Sequence, residues 1–529
     1  MPNELSRVAS PVHNGSLHTG PLCDFTAAHA RVKTTVALML FTLLYFVSSI
    51  LTAQKTPLSV DEVFVMWIVH YFPGAHVVDA LKMGLDSLPP GYYWLVSGFT
   101  AVLGQTSLAI RLPSILGFFV FALSVLYILQ RRVPWHVAVS AVFFTCVTGA
   151  AYSSTVARPY ALVVAAFGVS AAAWLDLPSS RRTGLRCGII AVAVAIALSV
   201  HFLAIYLVAV LSLAELIRGW RDRRVQWRYW LSLLAGTATL LIWLPVIGPI
   251  FKMTHASVHA PGYYARPTFF RLIGSSISIS LGTGMELIEI AMVLLVFIVP
   301  ILAGHARSPE FDPTGKLPIG AVPGFRDIYI LVLAAFALPL IAFVASVLVI
   351  GTFNERYFLG VALGVVLLMA SGQAHARGGV VLSIVLTLAS ASYFVRMSFA
   401  KPEDHPLVAL TRCMPERLPV IVPSASDIYI LSEALPAELQ HQISFVGVPP
   451  GLQSPDPEPE LIARNWKAAV PAMSIYTWQQ WSQKSKAFYL IDNLDGREGL
   501  ADWLIAHERV RVAAHLGQYR LLRVDLVGP

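Results

Sequence analysis

A handful of charged residues stand out in a chain that carries few of them. Asp61-Glu62 follow Thr56-Pro57-Leu58-Ser59, and Asp86 opens the run Asp86-Ser87-Leu88-Pro89-Pro90-Gly91-Tyr92-Tyr93-Trp94. Three arginines open apolar runs: Arg111-Leu112-Pro113, Arg158-Pro159-Tyr160, and Arg356 within Asn354-Glu355-Arg356-Tyr357-Phe358. A carboxylate can deprotonate an attacking hydroxyl. Guanidinium groups grip phosphate oxygens in a bidentate fork, and cations steady the charge that develops on a leaving group. Asp61 as base with arginines as phosphate clamps therefore suits substitution at an anomeric carbon whose leaving group is a phosphate on a long lipid.

Each residue also has a plainer reading. Adjacent acids at a helix start cap it and suit its dipole. Aromatics after two prolines can form an interfacial belt, and an arginine at a membrane boundary can snorkel to headgroups. His201, alone in a turn, suits a structural role. His255 and His259, four apart, are a weak metal signal.

The elements that must position these residues are membrane helices. Of 529 residues, 56% are hydrophobic and only 13% charged, about half the charge of a soluble domain. The formal net charge of +8 lies in short arginine clusters between apolar runs, the pattern of positive-inside loops and not of a nucleic-acid surface. Cys23, Cys146, Cys187 and Cys413 have no metal-like spacing and make no disulfide framework; two of them fall in apolar runs as buried thiols. Residues 1–33 read as a disordered cytoplasmic tail, and Thr34 to Thr52 as an anchor rather than a cleaved signal.

Apolar runs follow at 107–130, 134–150, 158–176, 185–200, 202–219, 229–250, 284–304, 328–350, 356–372 and 378–398, with a tight turn expected at His201-Phe202. The stretch 91–104 spans only ~21 Å as helix. If it does not cross, the clusters Arg131-Arg132, Arg181-Arg182-Arg186, Arg218 to Arg228 and Arg377 all share the side of Arg31 and Lys33, as the positive-inside rule requires. The stretch is thus expected to be interfacial, giving about 11 crossings; a short tilted crossing would give about 12 or 13. With this parity Asp61, Glu62, Arg111, Arg158, His201 and Arg356 meet at one membrane face, in the outer loop 53–106, the Tyr152–Arg158 turn, the His201 turn, a long loop 251–283 and Gly351–Arg356. From Glu62 to Phe72, Val63, Phe64, Trp67, Ile68 and Tyr71 recur at helical spacing. After Ala400 the composition turns polar. Residues 401–529 read as a small α/β domain on the outer side, with strand-like runs Val420–Val422, Ile443–Val448, Phe488–Ile491 and Tyr519–Val524, helical stretches near 425–434 and 496–508, and a proline-rich loop at 449–460.

The order of these pieces resembles the GT-C superfamily of membrane glycosyltransferases, in particular its bacterial protein mannosyltransferase and aminoarabinose transferase branch. The resemblance rests on Asp61-Glu62, Asp86 through Tyr93, Gly104 through Pro113, Ala157-Arg158-Pro159-Tyr160 and Glu355-Arg356-Tyr357, over most of residues 34–372. It implies a polytopic α-helical GT-C-like fold of about 11–13 transmembrane helices with a small C-terminal α/β extracytoplasmic domain. It implies a donor sugar on polyprenyl phosphate, with Asp61 as the catalytic carboxylate and Glu62 assisting. Substrate contacts fall to Asp86, Tyr92, Arg111, Arg158, Tyr160, His201, Arg356 and Tyr357. Relatives often carry a glutamate just before the Ala-Arg-x-Tyr segment, where this chain has Val156, so no metal ligands are assigned and a divalent metal stays an open alternative. The expected setting is a bacterial inner membrane with the C-terminal domain periplasmic. The expected partners are the donor, membrane lipids and a lipid, glycan or protein acceptor, with no nucleic acid. A flippase for lipid-linked sugars would show repeated halves, which the chain lacks; a non-catalytic scaffold is the other alternative.

Overall fold

The structure is a computed structural model and describes residues 21–258, 265–281, 325–376, 378–399 and 406–526, apart from short stretches between 415 and 498. The chain is a multi-pass membrane protein. Val32–Lys55, Ser107–Leu129, Thr183–Val200, Phe202–Asp222, Arg326–Ile350 and Gly379–Arg396 are each long and apolar enough to cross a bilayer. Trp227–Ile242 and Leu244–Lys252 form a pair bent by 68°, and Trp135–Thr145, Tyr160–Asp176 and Val361–Ala374 are shorter apolar helices. These helices account for the apolar runs expected from the sequence except 284–304, which lies outside the described residues, as do His259 and Arg377.

The first helix, α1 (Pro21–Lys55), begins earlier than expected: residues 21–33 are helical and not part of a tail. Pro21 is well placed at a helix start, where its missing N–H costs nothing. The segment that follows folds into three short helices, α2 (Val60–Tyr71), α3 (His76–Lys82) and α4 (Pro90–Leu103). Then come α5 (Ser107–Leu129), α6 (Trp135–Thr145), α7 (Tyr160–Asp176), α8 (Thr183–Val200) and α9 (Ile205–Asp222). The 229–250 run is broken into α10 (Trp227–Thr237), α11 (Thr239–Ile242) and α12 (Leu244–Val258). Pro245, next to the break, lacks the N–H that would continue the helical ladder from α11, which accounts for the bend. The segment 251–283, expected to be a loop, is largely helical: α12 runs on to Val258, and Phe269–Leu281 forms a further helix. Cys146 and Cys187 are buried free thiols, as expected.

Glycines set how closely these helices approach. A Cβ on Gly168 of α7 would stand 2.1 Å from Ser124 Oγ of α5. A Cβ on Gly91, in the first turn of α4, would stand 2.5 Å from the backbone carbonyl oxygen of Ser199 near the end of α8. A backbone oxygen cannot swing aside as a side chain can. Gly91→Ala should therefore push α4 off α8 and lower stability by about 1–3 kcal/mol, the usual cost of overpacking, read as a lower thermal unfolding midpoint in detergent.

The C-terminal region holds a six-stranded sheet of order β3-β2-β1-β4-β6-β5. Its strands are β1 (Val420–Val422), β2 (Ile443–Val446), β3 (Ile475–Tyr476), β4 (Ala487–Asn493), β5 (Arg509–Leu516) and β6 (Tyr519–Asp525). The first four pair in parallel, and β5–β6 form an antiparallel hairpin against β4. Side chains alternate between faces. Ile421, Leu490 and Leu522 pack with Trp481, Leu500 and Leu504, whereas Val420, Phe445, Tyr489 and Leu521 join the core of α2, α3 and α4. Trp466 sits at this seam, 6.3 Å from the ring of Phe64 and 5.2 Å from that of Trp67. The C-terminal domain thus lies on the same face as Asp61.

Candidate active site

The site is built on one buried ion pair. Ser59 starts α2, and its N–H (2.9 Å) and hydroxyl (3.1 Å) both donate to Glu62 Oε2. Glu62 Oε1 accepts from Arg111 Nε at 2.6 Å, and its Oε2 from Arg111 Nη2 at 2.8 Å. The guanidinium also donates to the carbonyls of Ala53, Thr56 and Pro57 at 2.6–2.9 Å, oxygens that the end of α1 leaves without helical partners. Arg111 is 1% exposed. Glu62 Oε1 further accepts the N–H of Ala157 at 2.6 Å, and Ser114 Oγ of α5 donates to the Arg158 carbonyl at 2.9 Å. One carboxylate therefore fixes the start of α2, the end of α1, α5 and the turn carrying Arg158. Neither Glu62 nor Arg111 lines the cavity described next; they hold the frame around it.

That cavity, of about 500 Å³, opens between α2, the α8–α9 turn, α11, α12 and the segment 349–357. Asp61, Asp86, Arg158, Tyr160, His201, Arg356 and Tyr357 all line it. Arg356 Nη1 donates to Asp61 Oδ2 at 2.7 Å, and Arg158 Nη2 lies 3.5 Å from Asp61 Oδ1. Arg158 Nη1 donates to Asp86 Oδ2 at 2.7 Å; Tyr93 Oη donates to the same oxygen at 2.7 Å, and the Ser87 N–H to Asp86 Oδ1 at 2.6 Å. Arg158 thus spans two carboxylates, one of them locked in place by its neighbours. Arg356 stands over the Tyr160 ring at 5.9 Å, and Asn354 Oδ1 accepts the Arg356 N–H at 3.2 Å. Leu240, Ile247, Ile250, Phe251, Val349 and Ile350 line the same cavity as an apolar wall. A cavity lined by both charged and apolar side chains suits an amphipathic ligand.

The electrostatics separate the titratable groups. Burial works against the charged form of Asp61, yet Arg158 and then Arg356 outweigh it and hold the carboxyl below its usual range. Burial, with the same two arginines, pushes His201 down to about 3. Its Nδ1 accepts the Leu203 N–H at 3.1 Å, so the neutral ring carries its proton on Nε2. His201 is therefore a fixed hydrogen-bond donor, packed 5.3 Å from the Tyr160 ring, and not a base near neutral pH.

Of the residues singled out in the sequence, Tyr92 does not line the cavity: it is buried, and its neighbour Tyr93 makes the bond to Asp86. The apolar wall from α11 and α12 was not anticipated, because its residues look like any other span until the bend turns them towards Asp61. Both cavity carboxylates are already paired with guanidinium, and among the described residues no group of three His, Cys, Asp or Glu stands together.

No family model and no curated protein matches the sequence. Solved structures do. The fold matches ArnT from Cupriavidus metallidurans in the apo state with a TM-score of 0.59 and 12% identity, covering 94% of this chain and 98% of that one. The same protein bound to undecaprenyl phosphate matches with a TM-score of 0.53 and 11% identity, over 92% and 97% of the two chains. Nearly the full length of both chains takes part, membrane helices and C-terminal sheet together, so the chain has a GT-C-like fold of the ArnT type.

Proposed function

We propose that the protein is a glycosyltransferase that takes its sugar from a polyprenyl-phosphate donor and passes it to a hydroxyl-bearing lipid, glycan or protein on the outer face of a bacterial inner membrane. The observation that carries this reading is the cavity in which Asp61 stands between two arginines and which an apolar wall also lines. Its volume lies in the range of small-molecule sites. The likeness to a protein whose structure holds undecaprenyl phosphate supports a prenyl phosphate as the lipid part of the donor.

The roles follow from the geometry. The prenyl chain lies along the wall of α11 and α12, and its phosphate draws Arg158 and Arg356 towards itself. Asp61, relieved of its partners, becomes more basic at the moment a base is required. It removes the proton of the acceptor hydroxyl, whose oxygen forms the new bond to the anomeric carbon as the bond to phosphate oxygen breaks. The arginines take up the charge on the departing phosphate. Single displacement inverts the anomeric centre. Asp86 and Tyr93 hold Arg158 in position, and His201 donates to a sugar or phosphate oxygen.

Two measurements test this. Purified protein in detergent is given a panel of radiolabelled polyprenyl-phosphate sugars and a membrane extract. Label should pass to a new product whose anomeric configuration is opposite to the donor's; donor binding without transfer from any sugar would overturn the reading. The pH profile is the second. Asp61 is held below the ordinary carboxylate range, so it stays ionised as pH falls through that range. The acid limb of kcat/KM, which reports the free enzyme, should thus lie below the ordinary carboxylate range. A limb near pH 6 to 7 would assign the base to another group.

A further inference from the structure

A second groove lies on the outside of the bundle, away from the catalytic cavity. It is bounded by α5, α7 and α8, has a volume of about 740 Å³, and is lined almost wholly by apolar side chains, among them Val120, Leu162, Val169, Val192 and Ile196. It runs along α8 from Ile196 to Gly184-Leu185, in the first turn. Two glycines keep it open: a Cβ placed on Gly184 or Gly188 meets no atom within 4 Å. On the far wall a Cβ on Gly117 would come within 3.0 Å of Leu162, so there the helices are already in contact.

The charge at the Gly184 end is strongly positive. Arg181 and Arg182 immediately precede α8 and are exposed, as is Arg131 at the end of α5. Arg131 and Arg186 stand over the Tyr127 ring at 5.4 and 5.8 Å. Asp176, at the end of α7, is paired with Arg132 at 3.5 Å and Arg186 at 3.0 Å. Among the described residues no carboxylate pairs with Arg181 or Arg182. Basic clusters beside grooves between membrane helices select lipids with negative headgroups.

We propose that this groove is a binding site for an anionic membrane phospholipid, its acyl chain lying between α5, α7 and α8 and its phosphate held by Arg181 and Arg182. Topology signalling needs arginines but no groove, and simple wetting by lipid tails needs a groove but no charge. The two together specify both halves of one molecule. The site is separate from the catalytic cavity and shares none of its lining residues, so the proposal does not depend on the reaction assigned there.

The test is native mass spectrometry of the full-length protein extracted in mild detergent, followed by titration with phosphatidylglycerol and, separately, phosphatidylcholine. Wild type should keep one phosphatidylglycerol and bind it roughly tenfold more tightly than phosphatidylcholine, as two phosphate-binding arginines allow. Gly184→Leu with Gly188→Leu should abolish retention. Leucine is the better helix former and meets open space, so the far-ultraviolet circular dichroism should be unchanged. Arg181→Gln with Arg182→Gln should keep binding but remove the preference for the charged head. The proposal is overturned if wild type binds the two lipids equally, if the filled groove still retains lipid, or if the retained molecule is a polyprenyl phosphate.

Discussion

Asp61→Asn should lower kcat for sugar transfer by about 10²–10⁴-fold, the range associated with loss of a positioned general base, with little change in the donor's KM. An amide of the same shape cannot accept the acceptor's proton. It also no longer neutralises Arg158 and Arg356, which stand 3.5 and 2.7 Å away in the free protein. Both arginines then remain available to the donor phosphate, so donor affinity should hold or rise. That split separates a base from a structural anion, whose loss would reduce the amount of folded protein and leave the kcat of the surviving fraction alone. The structural cost of the change is small, because Asp61 is half-buried and Arg356 is exposed at 40%; pairs of this kind contribute up to about 1 kcal/mol. Single-turnover transfer measured on protein of verified thermal stability reads both quantities. Normal kcat in Asp61→Asn would remove the base from the mechanism altogether.

The gathering of Asp61, Asp86, Arg158, His201 and Arg356 into one cavity was legible in the sequence because charge parity alone places the helix ends. With 91–104 taken as interfacial, an arginine cluster follows every second span, and these residues then fall on one membrane face without any knowledge of packing. What parity cannot supply is direction. Successive helical residues point about 100° apart, so of Asp61 and Glu62 one faces the cavity and the other the frame, and adjacency gives no sign of which. The same ambiguity made Tyr92 look equivalent to Tyr93. Arg111 resembled Arg158 and Arg356 in type and placement, yet it has the carbonyls of Ala53, Thr56 and Pro57 within reach and spends three donors there and the other two on Glu62. The apolar wall of α11 and α12 depends on a bend beside Pro245. The proline is visible in the sequence, but the angle at the break is set by the helices packed around it.

Glu62→Gln carries the second large expectation, and its sign distinguishes the neighbouring acids. The carboxylate accepts five hydrogen bonds, two of them from Arg111. A glutamine offers one carbonyl oxygen and a nitrogen that must itself donate, so it would aim a donor at the Arg111 fork or at the Ala157 N–H. Arg111, almost wholly buried, would be left as an uncompensated cation. Breaking one partner of a buried pair costs about 3–5 kcal/mol, a large share of a typical stability. The variant should show a sharply lower unfolding midpoint in detergent and a poor yield of folded protein. Transfer per folded molecule should fall far less than in Asp61→Asn, because Asp61 and both cavity arginines remain. Arg111→Lys probes the same frame from the other side: it keeps the charge but loses the planar fork that reaches two carboxylate oxygens and three carbonyls at once, so it too should lose stability before activity. If Glu62→Gln instead melted like wild type and lost transfer, Glu62 would have to touch the reacting groups. The closed frame around it, with α1, α2, α5 and the Arg158 turn joined through one carboxylate, argues that it acts by holding Arg158 where Asp61 can meet it.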